Sequence, residues 1–270
     1  MQAKATLEDT LALMRDLRAR CEWDAAQTHE SLRPYLLEEA HELDDALRER
    51  NIPLMREELG DLLLQVLFHS VVAERNGDFD IGDVAAGLIG KMHARHPHLY
   101  GDGERVAWEA LKARKRTSIE EGLPVGLPAL HRAHRLQDRA AGVGFDWDDI
   151  DGPADKVSEE LAEVRAQIAA TPVVRSPHGA PQHDDAHALV EGELGDLLFA
   201  VVNLCRKAGV HASLALDKAN AKFARRFAGI EQLAASRGID VKTAGLAVLD
   251  GLWDEVKRAE VAGGEGEVSG

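Results

Sequence analysis

Residues 57–65 read EELGDLLLQ, and residues 192–200 read GELGDLLFA. The string ELGDLL is spelled twice, with Glu58 and Glu193 lying 135 positions apart. Each copy mixes acids and leucines at helical spacing. Residues three or four apart share one face of a helix, so Glu193 and Asp196 project together, as do Glu58 and Asp61. Leu194, Leu197, Leu198 and Val201 are expected to pack the same helix into a bundle.

Working outward, each ELGD is preceded by an E-E-x-x-E. The first half holds Glu38, Glu39 and Glu42 before Glu58 and Asp61; the second holds Glu159, Glu160 and Glu163 before Glu193 and Asp196. Two such helices lying antiparallel would gather four carboxylates at their interface. Like charges held that close repel unless something neutralises them. Carboxylate oxygens suit a hard cation, Mg²⁺ or Mn²⁺, rather than zinc. A single EExxE is ordinarily a solvated helix face. The pairing, repeated in the same order, argues otherwise, because duplication of a structural core would explain the leucines more readily than the acids. On this reading a second metal site stands at Glu39, Glu42, Glu58 and Asp61.

Basic and aromatic residues repeat downstream. Lys91 and Arg95 match Lys222 and Arg226, both pairs at i and i+4, and Trp108 with Lys112 matches Trp253 with Lys257. Cations beside a carboxylate–metal cluster suit a polyphosphate. A tryptophan could stack on a base, although alone Trp253 reads as core packing.

Composition bounds the rest. The chain has 270 residues, enough for one large domain or two small ones. Aromatics make up only 4%, a balance that favours helices over sheets. A net charge of −15 argues against a nucleic-acid backbone as partner. Cys21 and Cys205 have no metal spacing and read as reduced thiols of a cytoplasmic protein. No signal segment or membrane span is expected. In His93–Tyr100, three histidines lie close together but lack a clear fourth ligand for zinc.

Periodicity predicts helices over residues 7–17, 31–50, 53–75, 81–94, 106–115, 153–169, 184–208, 212–237 and 241–259. Thr6 is the expected N-cap of the first, and Asn76-Gly77 the stop of the third. HPHLYGDGE reads as loop, and Pro124 and Pro128 mark a connector. No alternating strand pattern is present, so the fold class is all-α, in two duplicated helical units forming bundles completed by dimerisation. The expected organisation is a first unit over 1–123, a connector over 124–152, a second unit over 153–260, a loop insertion over 171–185 and a disordered tail over 261–270.

At these residues the sequence resembles the MazG family of nucleoside triphosphate pyrophosphohydrolases, over nearly the whole chain. The resemblance rests on CEWDAAQTH (Cys21–His29), both EExxE/ELGD pairs, RHPH (Arg95–His98), GVGFDW (Gly142–Trp147) and KANAKFARRF (Lys218–Phe227). The first run departs slightly, reading C-E-W-D where the family commonly has C-P-W-D. The resemblance implies an all-α, Mg²⁺-dependent homodimer that converts NTP and water to NMP and pyrophosphate with broad base and sugar tolerance. In tandem members the second copy carries the activity. Carried over, Glu160, Glu163, Glu193 and Asp196 become metal ligands, and Lys156, Lys222, Arg226, Trp253 and Lys257 the nucleotide-binding set. On a metal-assisted mechanism, Glu159, Glu160 and Glu193 are the expected catalytic carboxylates, with Glu159 or Glu160 accepting the water proton. The position matching Lys156 in the first copy is Tyr35. Two other readings stand beside this one: an all-α phosphohydrolase acting on dNTPs such as dUTP, and a non-catalytic interaction scaffold.

Overall fold

The computed structural model describes residues 4–101, 116–170 and 185–264. The expected helix over 106–115, with Trp108 and Lys112, the loop insertion and the end of the tail lie outside the described residues. The described residues contain helices and no strand, so the fold is all-α. None of these helices is long and apolar enough to cross a membrane. The chain divides into two compact units, residues 1–105 and 106–270.

The first unit comprises α1 (Leu7–Arg20), α2 (Glu22–Ala26), α3 (His29–Glu49), α4 (Ile52–Asn76), α5 (Ile81–Arg95) and α6 (Pro97–Tyr100). Local chemistry sets most boundaries. Thr6 and Asp9 close a capping box on α1, Thr28 and Ser31 do so on α3, and Asp80 and Asp83 on α5. Asn51 caps α4, and Gly77, at φ 78°, supplies the left-handed residue that ends it. The α3–α4 hairpin carries most of the packing, and α1 lies against α4. Met14, Leu32, Leu67, Phe68, Val71 and Val72 form the core between them.

The second unit comprises α7 (Ala129–Ala141), α8 (Asp151–Ala170), α9 (Asp185–Lys207), α10 (Ala212–Ser236) and α11 (Leu246–Gly264). It repeats the plan: α8 and α9 pair as α3 and α4 do, and α7 packs on α9 as α1 packs on α4. A buried arginine near the end of each outer helix makes the parallel concrete. Arg18 Nη1 donates to the carbonyls of Asp24 and Gln27, and Arg139 Nη1 donates to those of Ile119 and Glu121. Then α10 and α11 form a hairpin whose core is Ile230, Ala234 and Leu252.

Four details differ from the sequence reading. The stretch treated as a connector contains α7, which has few large apolar residues and buries Gln137 and Arg139 instead. Residues 97–100 form a short helix rather than loop. Helix α11 starts at Leu246 rather than near 241, because Asp240 holds a turn. Its carboxylate accepts from Lys242 N at 3.0 Å, and Gly245 follows at φ 75°. Leu194, Leu198 and Val201 are exposed in the single chain, while Val190, Ala200 and Val202 supply the packing face of α9.

Candidate active site

Helices α8 and α9 bring five acids to one place. Glu160, Glu163 and Glu193 each direct a carboxylate oxygen to a point where all three lie within 4.8 Å of one another. Glu160 is 5% exposed, Glu193 half-buried and Glu163 exposed. Asp196, one turn after Glu193, lies outside that trio and lines the adjacent cavity. Lys156, one turn before Glu160, donates from Nζ to Glu159 Oε1 at 2.8 Å and pairs with Glu160 Oε1 at 2.7 Å. These two carboxylates hold the lysine charged far above neutral pH. Glu163 is pushed above the usual carboxylate range, first by desolvation, then by the charge and hydrogen bond of Glu160 and the charge of Glu193. Lys156 offsets part of this.

The first unit builds the same trio. Oxygens of Glu39, Glu42 and Glu58 also lie within 4.8 Å of one another. Desolvation and the charges of Asp61 and Glu42 raise both Glu39 and Glu58. Among the described residues no lysine joins it. Tyr35 stands at the matching position, edge-on to Trp23 with ring centroids 6.2 Å apart.

A cavity of about 550 Å³ opens beside the second trio, between α7, α8, α9 and the GFDW segment. That segment is clamped to α9. Arg206 grips Asp146 through both terminal nitrogens, and Lys207 Nζ donates to Trp147 O at 2.6 Å. Burial works to raise the Asp146 pKa, but the hydrogen bond and charge of Arg206 outweigh it and hold the group low. Asp149 accepts from the backbone N–H groups of Asp151 and Gly152 at the start of α8.

The remaining members of the expected nucleotide-binding set sit on the α10–α11 hairpin. Lys222 and Lys257 are exposed. Arg226 donates to Glu260 at 2.8 Å and lies 5.6 Å over the Trp253 ring, which packs half-buried against the hairpin core. None of these four lines the cavity. In His93–Tyr100, His96 Nδ1 bonds the Met92 carbonyl at 2.8 Å and His93 stacks on Tyr100, and no metal trio forms there among the described residues.

The chain is 39% identical over 260 residues to a protein of Escherichia coli strain K12 named nucleoside triphosphate pyrophosphohydrolase, covering 92% of this chain and 94% of that relative. A Thermotoga maritima relative named nucleoside triphosphate pyrophosphohydrolase/pyrophosphatase MazG is 40% identical over 266 residues, covering 95% of this chain and 97% of its own. The chain belongs to the MazG family. The model of the MazG nucleotide pyrophosphohydrolase domain matches residues 27–100, which hold the first trio. That match does not extend to the second trio, whose acids repeat the order of the first.

Sequence reasoning missed the cavity and its polar residues Gln137 and Asn203. A signal was present: Asn203 stands where strict repetition of ELGDLL puts Phe68 in the first copy, since both follow their ELGD glutamate by ten residues.

Proposed function

We propose that this chain is a nucleoside triphosphate pyrophosphohydrolase that releases NMP and pyrophosphate, tolerates many bases and sugars, and serves nucleotide-pool housecleaning or regulation in the cytoplasm. The observation that carries the reading is the α8–α9 carboxylate trio with Lys156 against it, beside a cavity large enough for a nucleoside. Relatives bearing that activity in their names match almost end to end.

The all-oxygen donor set fits Mg²⁺ or Mn²⁺: three crowded carboxylates, one of them buried, are what a hard cation neutralises. Glu160, Glu163, Glu193 and Asp196 would hold it. When bound there, the cation would supply an acidified water and would offset charge on the α-phosphate. Water oxygen then forms the bond to the α-phosphorus, and the bond to the α–β bridging oxygen breaks. Pyrophosphate leaves with the electron pair. Glu159 or Glu160 accepts the water proton, with Lys156 fixing both carboxylates. Lys222, Arg226 and Lys257 are assigned to the leaving pyrophosphate, and Trp253 to the nucleotide, on the family resemblance alone. A homodimer belongs to the proposal, because Leu194, Leu198 and Val201 leave an exposed apolar face on the helix that carries Glu193.

The scaffold and dUTPase-like readings make different predictions. With Mg²⁺ and α,β-methylene-ATP together, the melting temperature is expected to rise several degrees above that with either alone. No rise with any nucleotide analogue would favour the scaffold. A rise confined to the dUTP analogue would favour the narrower enzyme.

A further inference from the structure

We infer that the cavity between α7, α8 and α9 receives the nucleobase of the substrate, and that Gln137 Oε1 accepts a hydrogen bond from a base N–H. The inference rests on the reading that a nucleoside triphosphate is the substrate; it assigns the part of that substrate farthest from the chemistry.

The cavity has two ends. Lys156, Glu160 and Asp196 line one of them. Asn203, two turns of α9 beyond Asp196, lines the other, roughly 10 Å further along the helix axis. That is the order of separation between the α-phosphate and the base of a nucleotide. The intervening walls are apolar and aromatic, with Leu136, Phe145, Trp147, Pro153 and Phe199 presenting flat surfaces for a heterocycle.

Gln137 supplies the decisive feature. It is 6% exposed, and its Nε2 donates to the Phe199 carbonyl at 2.8 Å, which fixes the amide orientation. Its Oε1 is buried without any partner. Such an orphaned acceptor calls for an explanation, and a ligand donor provides one. Asn203 is equally buried. Its Oδ1 accepts from Arg206 Nε at 2.9 Å, which leaves the Nδ2 end as the donor. The cavity thus offers an acceptor from α7 and a donor from α9, the two functions that the pairing edge of a base presents. Adenine, guanine, cytosine and uracil all present an N–H on that edge. One acceptor therefore admits all four and discriminates against a base without one.

The first copy has closed the equivalent space. Phe68, at the position of Asn203, is buried in the core. Trp23 lies 6.5 Å from its ring and Arg18 5.5 Å over it. Nucleotide recognition by this route belongs to the second copy alone.

The test compares ATP with purine riboside 5′-triphosphate, which lacks the 6-amino group, in the full-length protein with Mg²⁺. Wild type is expected to favour ATP in kcat/KM about tenfold, the size of one buried neutral hydrogen bond. Gln137→Leu is expected to bring the two substrates within about twofold. Gly152→Ala is a second variant that leaves Gln137 intact: a Cβ there would overlap the Trp147 indole, so KM should rise severalfold for both triphosphates. Equal use of the two by wild type would overturn the inference. So would discrimination that survives Gln137→Leu, or that is lost instead in Trp253→Leu. No turnover of either substrate by wild type would overturn the hydrolase reading itself, and the base site with it.

Discussion

Glu193→Gln is expected to lower Mg²⁺-dependent ATP hydrolysis by more than about a hundredfold, since loss of even an outer-sphere partner costs a metal site ten- to a hundredfold. The same change should raise the melting temperature of the metal-free protein. Glu193 adds its charge to a pool that already holds the Glu163 pKa up. A carboxyl whose folded pKa exceeds its unfolded value of 4.5 contributes stability below that value. The contribution is lost as pH climbs through the folded pKa, so at neutral pH the ionised Glu163 costs the fold stability. Removing one charge relieves part of that. Glu58→Gln, in the first trio, should give the same stabilisation with little loss of hydrolysis. Kinetics and melting on the same preparations check both. Full activity in Glu193→Gln would remove the metal site from the mechanism.

Phe68→Ala is expected to destabilise the first unit by about 3–5 kcal/mol, the range for deleting a buried aromatic side chain. Phe68 is 3% exposed and shares its core with Met14, Leu32, Leu67, Val71 and Val72. Trp23 and Arg18 cover it from outside, so a void there has little to collapse into it. Urea unfolding followed by circular dichroism would show a lower midpoint at unchanged slope. A loss below about 1 kcal/mol would mean that the space is adaptable, and would weaken the contrast drawn between closed and open copies.

The hairpin helices were legible because their acids and leucines share one 3.6-residue period, and Thr6 and Gly77 marked the start of α1 and the end of α4. The spacing Glu160-x-x-Glu163 also announced that these side chains share a face. Helix α7 was hidden because it buries through Gln137 and Arg139, residue types that a hydrophobic pattern does not count. The cavity was hidden for a different reason. Gln137, Trp147, Lys156 and Asn203 come from four separate stretches, and only the packing of α7 on α9 assembles them. Trp253 repeats Trp108 in sequence and packs against Phe223, with Arg226 over its ring.

The most direct measurement is to incubate the wild-type protein with ATP and Mg²⁺ in ¹⁸O-water, separate the products and weigh them. The account predicts AMP and pyrophosphate, with the label in AMP, as attack at the α-phosphorus requires. ADP with orthophosphate, or label in the pyrophosphate, would contradict it.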